Sequence, residues 1–165
     1  MLRHGRAKFT QRLICHRLNL NIMMTAESEE PLKISANPGT TIPLLAGAVG
    51  KVFMALKDSE QLKKYLHEYG LPEYTPNSIT DEEAYHAEIE QVRKQGYAVD
   101  DEEYITGIRA VAVALQNQRG PSMAVWVVGM TGAMESNKIA RVIDVTICAA
   151  ESLRATVEDF SKRSK

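Results

Sequence analysis

A glycine directly before a lysine, Gly50-Lys51 in the stretch AGAVGKVF (Ala46 to Phe53), is the first feature able to do chemistry, because such a pair ends the phosphate-binding loops of nucleotide folds. Those loops also need a glycine five positions before the first and a Ser or Thr after the lysine. Leu45 and Val52 stand there instead, so no phosphate cradle is specified. Four consecutive acids, Asp100-Asp101-Glu102-Glu103, precede Gly107. A pair of them is able to act as general acid and base or to bind Ca²⁺ or Mg²⁺; the plainer reading is a solvated acidic turn with one acid pointing inward. Glu82, His86 and Glu90 recur four apart on one helical face, but they fall away from the apolar stripe of Tyr85, Ile89 and Val92. A solvated, charge-paired face is the better account than a metal site. Cys15 and His16 are neighbours on a strand pattern and so point to opposite faces, which excludes a nucleophile and base pair. Cys148 falls inside a helical pattern and reads as a small buried apolar residue. Ser28, Ser35, Ser78 and Ser122 lack the GxSxG setting of a serine hydrolase.

The elements that must position these groups follow from periodicity and punctuation. Strand patterns occupy Arg12 to Leu18 and Ile22 to Ala26, joined by Asn19-Leu20-Asn21 as a hairpin turn. A third extended piece, Leu32 to Ser35, ends at the Asn37-Pro38-Gly39 turn. Pro43 is expected to open a helix whose apolar residues, Leu44 to Leu56, cover most of its circumference, so that it should be buried. Asp58 and Gln61 suit the cap of a second helix, Ser59 to His67, closed by Gly70. Thr80 with Glu83 has capping-box spacing for a third, Asp81 to Gln95, stopping at Gly96. Strands are expected near Tyr97 to Val99, at Ile108 to Leu115 and at Met123 to Val128, the last two separated by a turn at Asn117 to Pro121. A final helix begins after Ser136 and Asn137, with Ile139, Val142, Ile143, Thr146, Ala150, Leu153 and Val157 as its inner stripe. Strands in meander order with inserted helices imply an α+β, sandwich-like domain: a largely antiparallel sheet with helices packed on it.

The chain has 165 residues, 44% hydrophobic and 25% charged, enough for one domain with its own core. Net charge is -1, although Arg3, Arg6, Lys8, Arg12 and Arg17 precede the first acid, Glu27. The acidic remainder offers no basic face for DNA. An organellar transit peptide would also be Arg-rich and acid-free, but residues fit for a strand already begin at Leu13. Two cysteines without a CxxC exclude a disulfide framework and a zinc ribbon and favour a reduced, cytoplasmic setting. No run of 18 apolar residues occurs, so no membrane partner is expected.

The segments PLKISANPGTTIPLLAGAVGKVFMAL, GLPEYTPNSITDEEAYHAEIEQVRKQGYAVDDEEYITGIRAVAVAL and AVWVVGM, taken in order, resemble the effector-binding domain of the IclR family of bacterial transcription regulators. The resemblance covers roughly Thr10 to Phe160. It is carried by Gly39-x-x-x-Pro43 with Gly50-Lys51, by Tyr74-Thr75 before Thr80, and by Arg93-x-x-Gly96-Tyr97 leading to the acidic run and Gly107. It implies a curved antiparallel sheet flanked by helices, like profilin-like and GAF-like ligand sensors. Proteins of this family usually carry a winged helix-turn-helix, yet only about 11 residues precede the first strand pattern, too few for a DNA reader. The expectation is a basic tail over 1–11, one effector-binding domain over 12–165 and no winged helix-turn-helix in this chain. DNA would be reached only through such a domain, and the intact regulator would act as a homodimer or homotetramer.

The resemblance also places a pocket between the sheet and the loop entering the Gly-Lys helix. The backbone amides of Ala48 and Val49 then look like donors to an effector carboxylate, with Asp100 as the polar partner opposite and Pro31, Ile42 and Ile108 as the apolar wall. Ala110, Trp126 and Val128 stand where relatives that sense small keto acids place a thiol and hydroxyls, which points to a more apolar effector, such as an aromatic acid. Trp126 filling the pocket is an equally good reading. Lys51 is expected either at the ligand or snorkelling from a buried helix to solvent. No cofactor and no catalytic residue are expected. Two other readings compete: an enzymatic or stand-alone binding relative using Asp100 or Glu103 as acid and base, and an assembly domain with a vestigial pocket.

Overall fold

A computed structural model describes residues 11–16, 19–29, 33–116 and 122–163. Six strands form one antiparallel sheet: β1 (Gln11–His16), β2 (Asn19–Ile22), β3 (Thr41–Pro43), β4 (Ala98–Asp101), β5 (Ile108–Leu115) and β6 (Met123–Met130). Their spatial order is β3-β2-β1-β6-β5-β4. The helices are α1 (Gly47–Ala55), α2 (Ser59–Tyr69), α3 (Glu82–Gln95) and α4 (Ser136–Arg163). The expected α+β fold with an antiparallel sheet is therefore what the chain adopts.

Alternation along the strands divides the sheet into two working faces. Ala98, Ala110, Ala112, Ala124, Trp126 and Val128 pack with α1 and α3 in the main core. Val113, Leu115, Met123 and Val125 turn to the other side, against Ala150 of α4. Because residues directly opposite in an antiparallel pair share a face, the register Asp100 opposite Ala110 and Ala110 opposite Val128 sets Asp100 in the α1 face as well. Four alanines on that face leave room for a helix to lie close to the sheet. α1 fills it, with every residue from Gly47 to Met54 buried.

Several local expectations shift, each for a physical reason. Asn19-Leu20-Asn21 is strand rather than turn, since His16 pairs with Asn19 and the alternation buries Leu20 and Ile22 while the asparagines face outward. The strand stops at Ile22 and does not extend to Ala26. Residues 33–36 carry no strand, and Pro31 and Leu32 lie outside the described residues. The turn at Asn37-Pro38-Gly39 is present, with Gly39 at φ +90 and its N–H donating to Ile22 O at 2.7 Å. Pro43 closes edge strand β3 opposite Asn19 instead of opening a helix, a position where its missing N–H costs no ladder bond.

α2 keeps the expected Asp58 and Gln61 capping box, with Gln61 N–H donating to Asp58 Oδ1 at 2.7 Å. In α3 the cap is Asp81, which accepts from Ala84 N–H at 2.8 Å, and not Thr80. Gly96 ends the helix in the left-handed conformation, φ +82, and Tyr85, Ile89 and Val92 are its buried stripe. Ser136 already belongs to α4, of whose expected stripe Thr146 and Ala150 are fully buried. Cys148 is exposed rather than buried, because two residues from each of them places it on the far side of the helix. The Asn117 to Pro121 turn lies outside the described residues.

Candidate functional site

The start of α1 is a helix terminus with little to satisfy it. Its N-cap is Ala46, which offers no side-chain acceptor, and the first turn contains no acid. Ala46 and Gly50 N–H groups are bonded, to Pro43 O and Ala46 O, but among the described residues no acceptor stands against the N–H groups of Gly47, Ala48 and Val49. These are the donors that a helix normally leaves to a cap, to water or to a ligand. All three residues are buried. Glycine is required at the first of them, Gly47, and at Gly50 just after the last. A Cβ on Gly50 would lie 2.4 Å from Leu44 O, and one on Gly47, which sits at φ +49, would lie 2.0 Å from Asp100 Oδ2. The Asp100 carboxylate therefore rests directly against the first residue of α1.

The acidic run is not a solvated turn with one inward acid; it is a fastened turn with two. Asp100 is 2% exposed, and its Oδ1 accepts from Glu103 N–H at 2.7 Å. Glu102 sits at φ +62, uncommon for a residue with a side chain, and is held there by Gly107 N–H donating to its Oε2 at 2.6 Å. Thr75 Oγ1 donates to Glu102 O at 2.7 Å and Ser78 Oγ to Glu103 O at 2.7 Å, tying the segment around Tyr74-Thr75 to the turn. Asp101 faces outward and pairs with Arg109.

Lys51 neither snorkels to solvent nor stands free for a ligand. It is 2% exposed and donates to Glu103 Oε1 at 2.6 Å, Glu88 Oε1 at 2.9 Å and Val99 O at 3.0 Å. Arg93, another member of the family motif, caps the other end of α1 by donating from Nε to Ala55 O at 3.1 Å. Burial raises the carboxyls of Asp100 and Glu103 above their usual ranges, and Lys51 opposes the rise in both. Beside this network lies a cavity of about 20 Å³, bounded by Gly47, Lys51, Tyr74, Ser78, Tyr85 and Glu103 among others. That volume suits about one water molecule. The Tyr85 hydroxyl is buried beside it with no hydrogen-bond partner among the described residues, and burial pushes its pKa up.

The residues singled out in the sequence take these places. Ala48 and Val49 are the second and third residues of α1. Ala110, Trp126 and Val128 share the sheet face with Asp100, Ile42 is buried on β3, and Ile108 packs against the same core half-buried. Trp126 is 7% exposed, and its Nε1 has no partner among the described residues. Pro31 lies outside them. Glu82 and Glu90 face solvent, Glu90 pairing with Arg93, and no group of metal-ligating side chains occurs among the described residues. Sequence reasoning passed over Glu88, Thr75, Ser78 and Tyr85 as site residues. Glu88 had a visible signal, an acid adjoining Ile89 and three residues after Tyr85, on the inward side of α3.

Residues 14–156 match the family pattern described as bacterial transcriptional regulator IclR, C-terminal. The chain is 30% identical over 123 residues to the transcriptional repressor IclR of Escherichia coli K12, covering 74% of this chain and 45% of that one. The chain thus spans about half the length of the curated relatives it matches. The crystal structure of an IclR transcriptional regulator from Alicyclobacillus acidocaldarius superposes with TM-score 0.80 at 31% identity, over 89% of this chain and 60% of that one. A double mutant of the PobR inducer-binding domain from Acinetobacter, solved with 3-hydroxybenzoic acid, superposes with TM-score 0.77 at 25% identity, over 88% and 87%. No described helix is long and apolar enough to cross a membrane. The ordered glycine, lysine and acidic motifs, the sheet they build and these matches agree: the chain belongs to the IclR family of bacterial transcriptional regulators.

Proposed function

We propose that this domain senses a small organic acid and passes the signal to a DNA-reading domain of the same regulator. The observation that carries the reading is the buried first turn of α1, whose Ala48 and Val49 amides have no acceptor among the described residues and suit a carboxylate. Asp100 faces the same helix start, and Ile42, Ile108, Ala110, Val128 and Trp126 supply the apolar side of the proposed pocket; Pro31, outside the described residues, is assigned to it from the family resemblance alone. The PobR inducer-binding domain with its hydroxybenzoic acid supports the class of ligand. Ala110, Trp126 and Val128 offer mostly apolar surface, which favours an aromatic acid over a keto acid, and the Trp126 Nε1, unpartnered among the described residues, supplies the one donor of the three. The protein is cytoplasmic, acts as a homodimer or homotetramer, and touches DNA only through a winged helix-turn-helix. Effector binding biases one arrangement of the pocket and thereby the spacing of the DNA readers. Asp100 serves recognition, not turnover.

Trp126 is the only tryptophan, so its fluorescence reports this site. Titration with benzoate, 3-hydroxybenzoate, glyoxylate and pyruvate is expected to give a saturable change with the aromatic acids. A response to glyoxylate alone sinks the aromatic assignment, and silence toward all four in fluorescence and in calorimetry sinks the effector reading.

A further inference from the structure

The three N–H groups of Lys51 meet three acceptors, so the ammonium has no donor left for a bound anion. Two of those acceptors bracket Asp100. Val99 O belongs to the residue before it, and Glu103 is the residue whose N–H holds Asp100 Oδ1. Glu88 of α3 anchors the same ammonium from the third side. A buried lysine that served packing alone would be served equally by methionine, without the desolvation of a charge. We infer that Lys51 is a positioning residue: it fixes the Asp100 carboxylate against the start of α1 by holding the β4–β5 turn on both sides of it. The inference deepens the effector reading and rests on it for its consequence, since Asp100 is the polar wall of that site.

The groups that act on Asp100 are Lys51 from α1, Glu103 and Asp101 from its own turn, and the backbone of Tyr104. Removing the lysine charge and its two tethers takes away the one cation in this set. The test is a ¹³C carboxyl NMR titration of Asp100 in wild type, Lys51→Met and Lys51→Arg, with folding checked by circular dichroism. The expected result is an upward move of the Asp100 midpoint in Lys51→Met and a return toward wild type in Lys51→Arg. If Lys51→Met does not fold, Lys51→Gln, which keeps a donor, carries the same comparison. An unmoved Asp100 midpoint in the folded variant overturns the inference. A second measurement uses 3-hydroxybenzoate as probe: Lys51→Met is expected to change its apparent affinity by roughly tenfold, but to change nothing further in an Asp100→Asn background. Additive effects of the two substitutions also overturn it. Should wild type bind none of the acids, the effector reading falls, while the titration still decides the role of Lys51.

Discussion

Replacing Gly50 with alanine sets two known effects against each other. In an exposed helix interior alanine is better than glycine by about 1 kcal/mol. Here the added Cβ would stand 2.4 Å from Leu44 O, 3.0 Å from Leu45 C and 3.1 Å from Leu45 Cα, all of them backbone atoms. Carbon and oxygen ordinarily touch at about 3.3–3.6 Å, so α1 or the β3–α1 loop must move by about 1 Å. No side-chain rotamer is available to absorb that shift, and α1 is packed on the sheet along its buried length. Overpacking of this kind costs about 3 kcal/mol, the upper part of its range. Net of the helix preference, Gly50→Ala should lose about 2 kcal/mol, equivalent to a fall in Tm of roughly 4–8 °C for a domain of this size. Urea denaturation followed by Trp126 fluorescence measures it. Gly132→Ala is the control, because its Cβ would meet nothing within 4 Å. A Gly50→Ala protein as stable as wild type, with Gly132→Ala also neutral, refutes the close approach of α1 to the loop.

Two further predictions concern charge and capping. Because burial raises the Asp100 carboxyl in the folded state, its stabilising contribution is fully present only below the unfolded value, about 3.9, and is lost as pH rises through the folded one. Asp100→Asn keeps an acceptor for Glu103 N–H, so it should lose less stability than wild type between about pH 4 and pH 7 in urea midpoints; an equal or larger loss refutes this. At the start of α3, Asp81→Ala should cost about 1 kcal/mol in thermal or urea unfolding, whereas Thr80→Ala should change stability by less than about 0.5 kcal/mol. The reverse order would return the cap to Thr80.

Elements whose periodicity is undisturbed were legible in the sequence. β5 runs from Ile108 to Leu115 as its apolar run indicates, and α2 starts at the Asp58 cap. Where residue type and tertiary pairing conflict, pairing decides. Asn19 and Asn21 are turn formers by propensity but form the outer side of a strand whose inner side is Leu20 and Ile22. Pro43 has the φ of a first helical residue but ends an edge strand opposite Asn19. The family motifs indicated which residues matter and not what they do. Thr75 and Gly107 turn out to bind the acidic turn, and Arg93 the end of α1. Lys51 was the least legible residue, because its partners Glu88 and Glu103 lie 37 and 52 positions away, beyond any local pattern.

The order of the strands bears on how such a chain is made. β1 sits in the middle of the sheet, with β2 on one side and β6 on the other, Gln11 standing opposite Trp126. Within this sheet β1, β2 and β3 are made before the others, and β1 can find its second partner only once β6 (Met123–Met130), more than a hundred residues later, has been synthesised. Closing so long a loop makes this pairing slow relative to the local hairpins and helices. During that interval β1 keeps an open edge, the part of a nascent sheet most exposed to wrong partners. The seam between β1 and β6 is thus the last stretch of the sheet that can close, and the stage at which the growing chain is most open to aggregation.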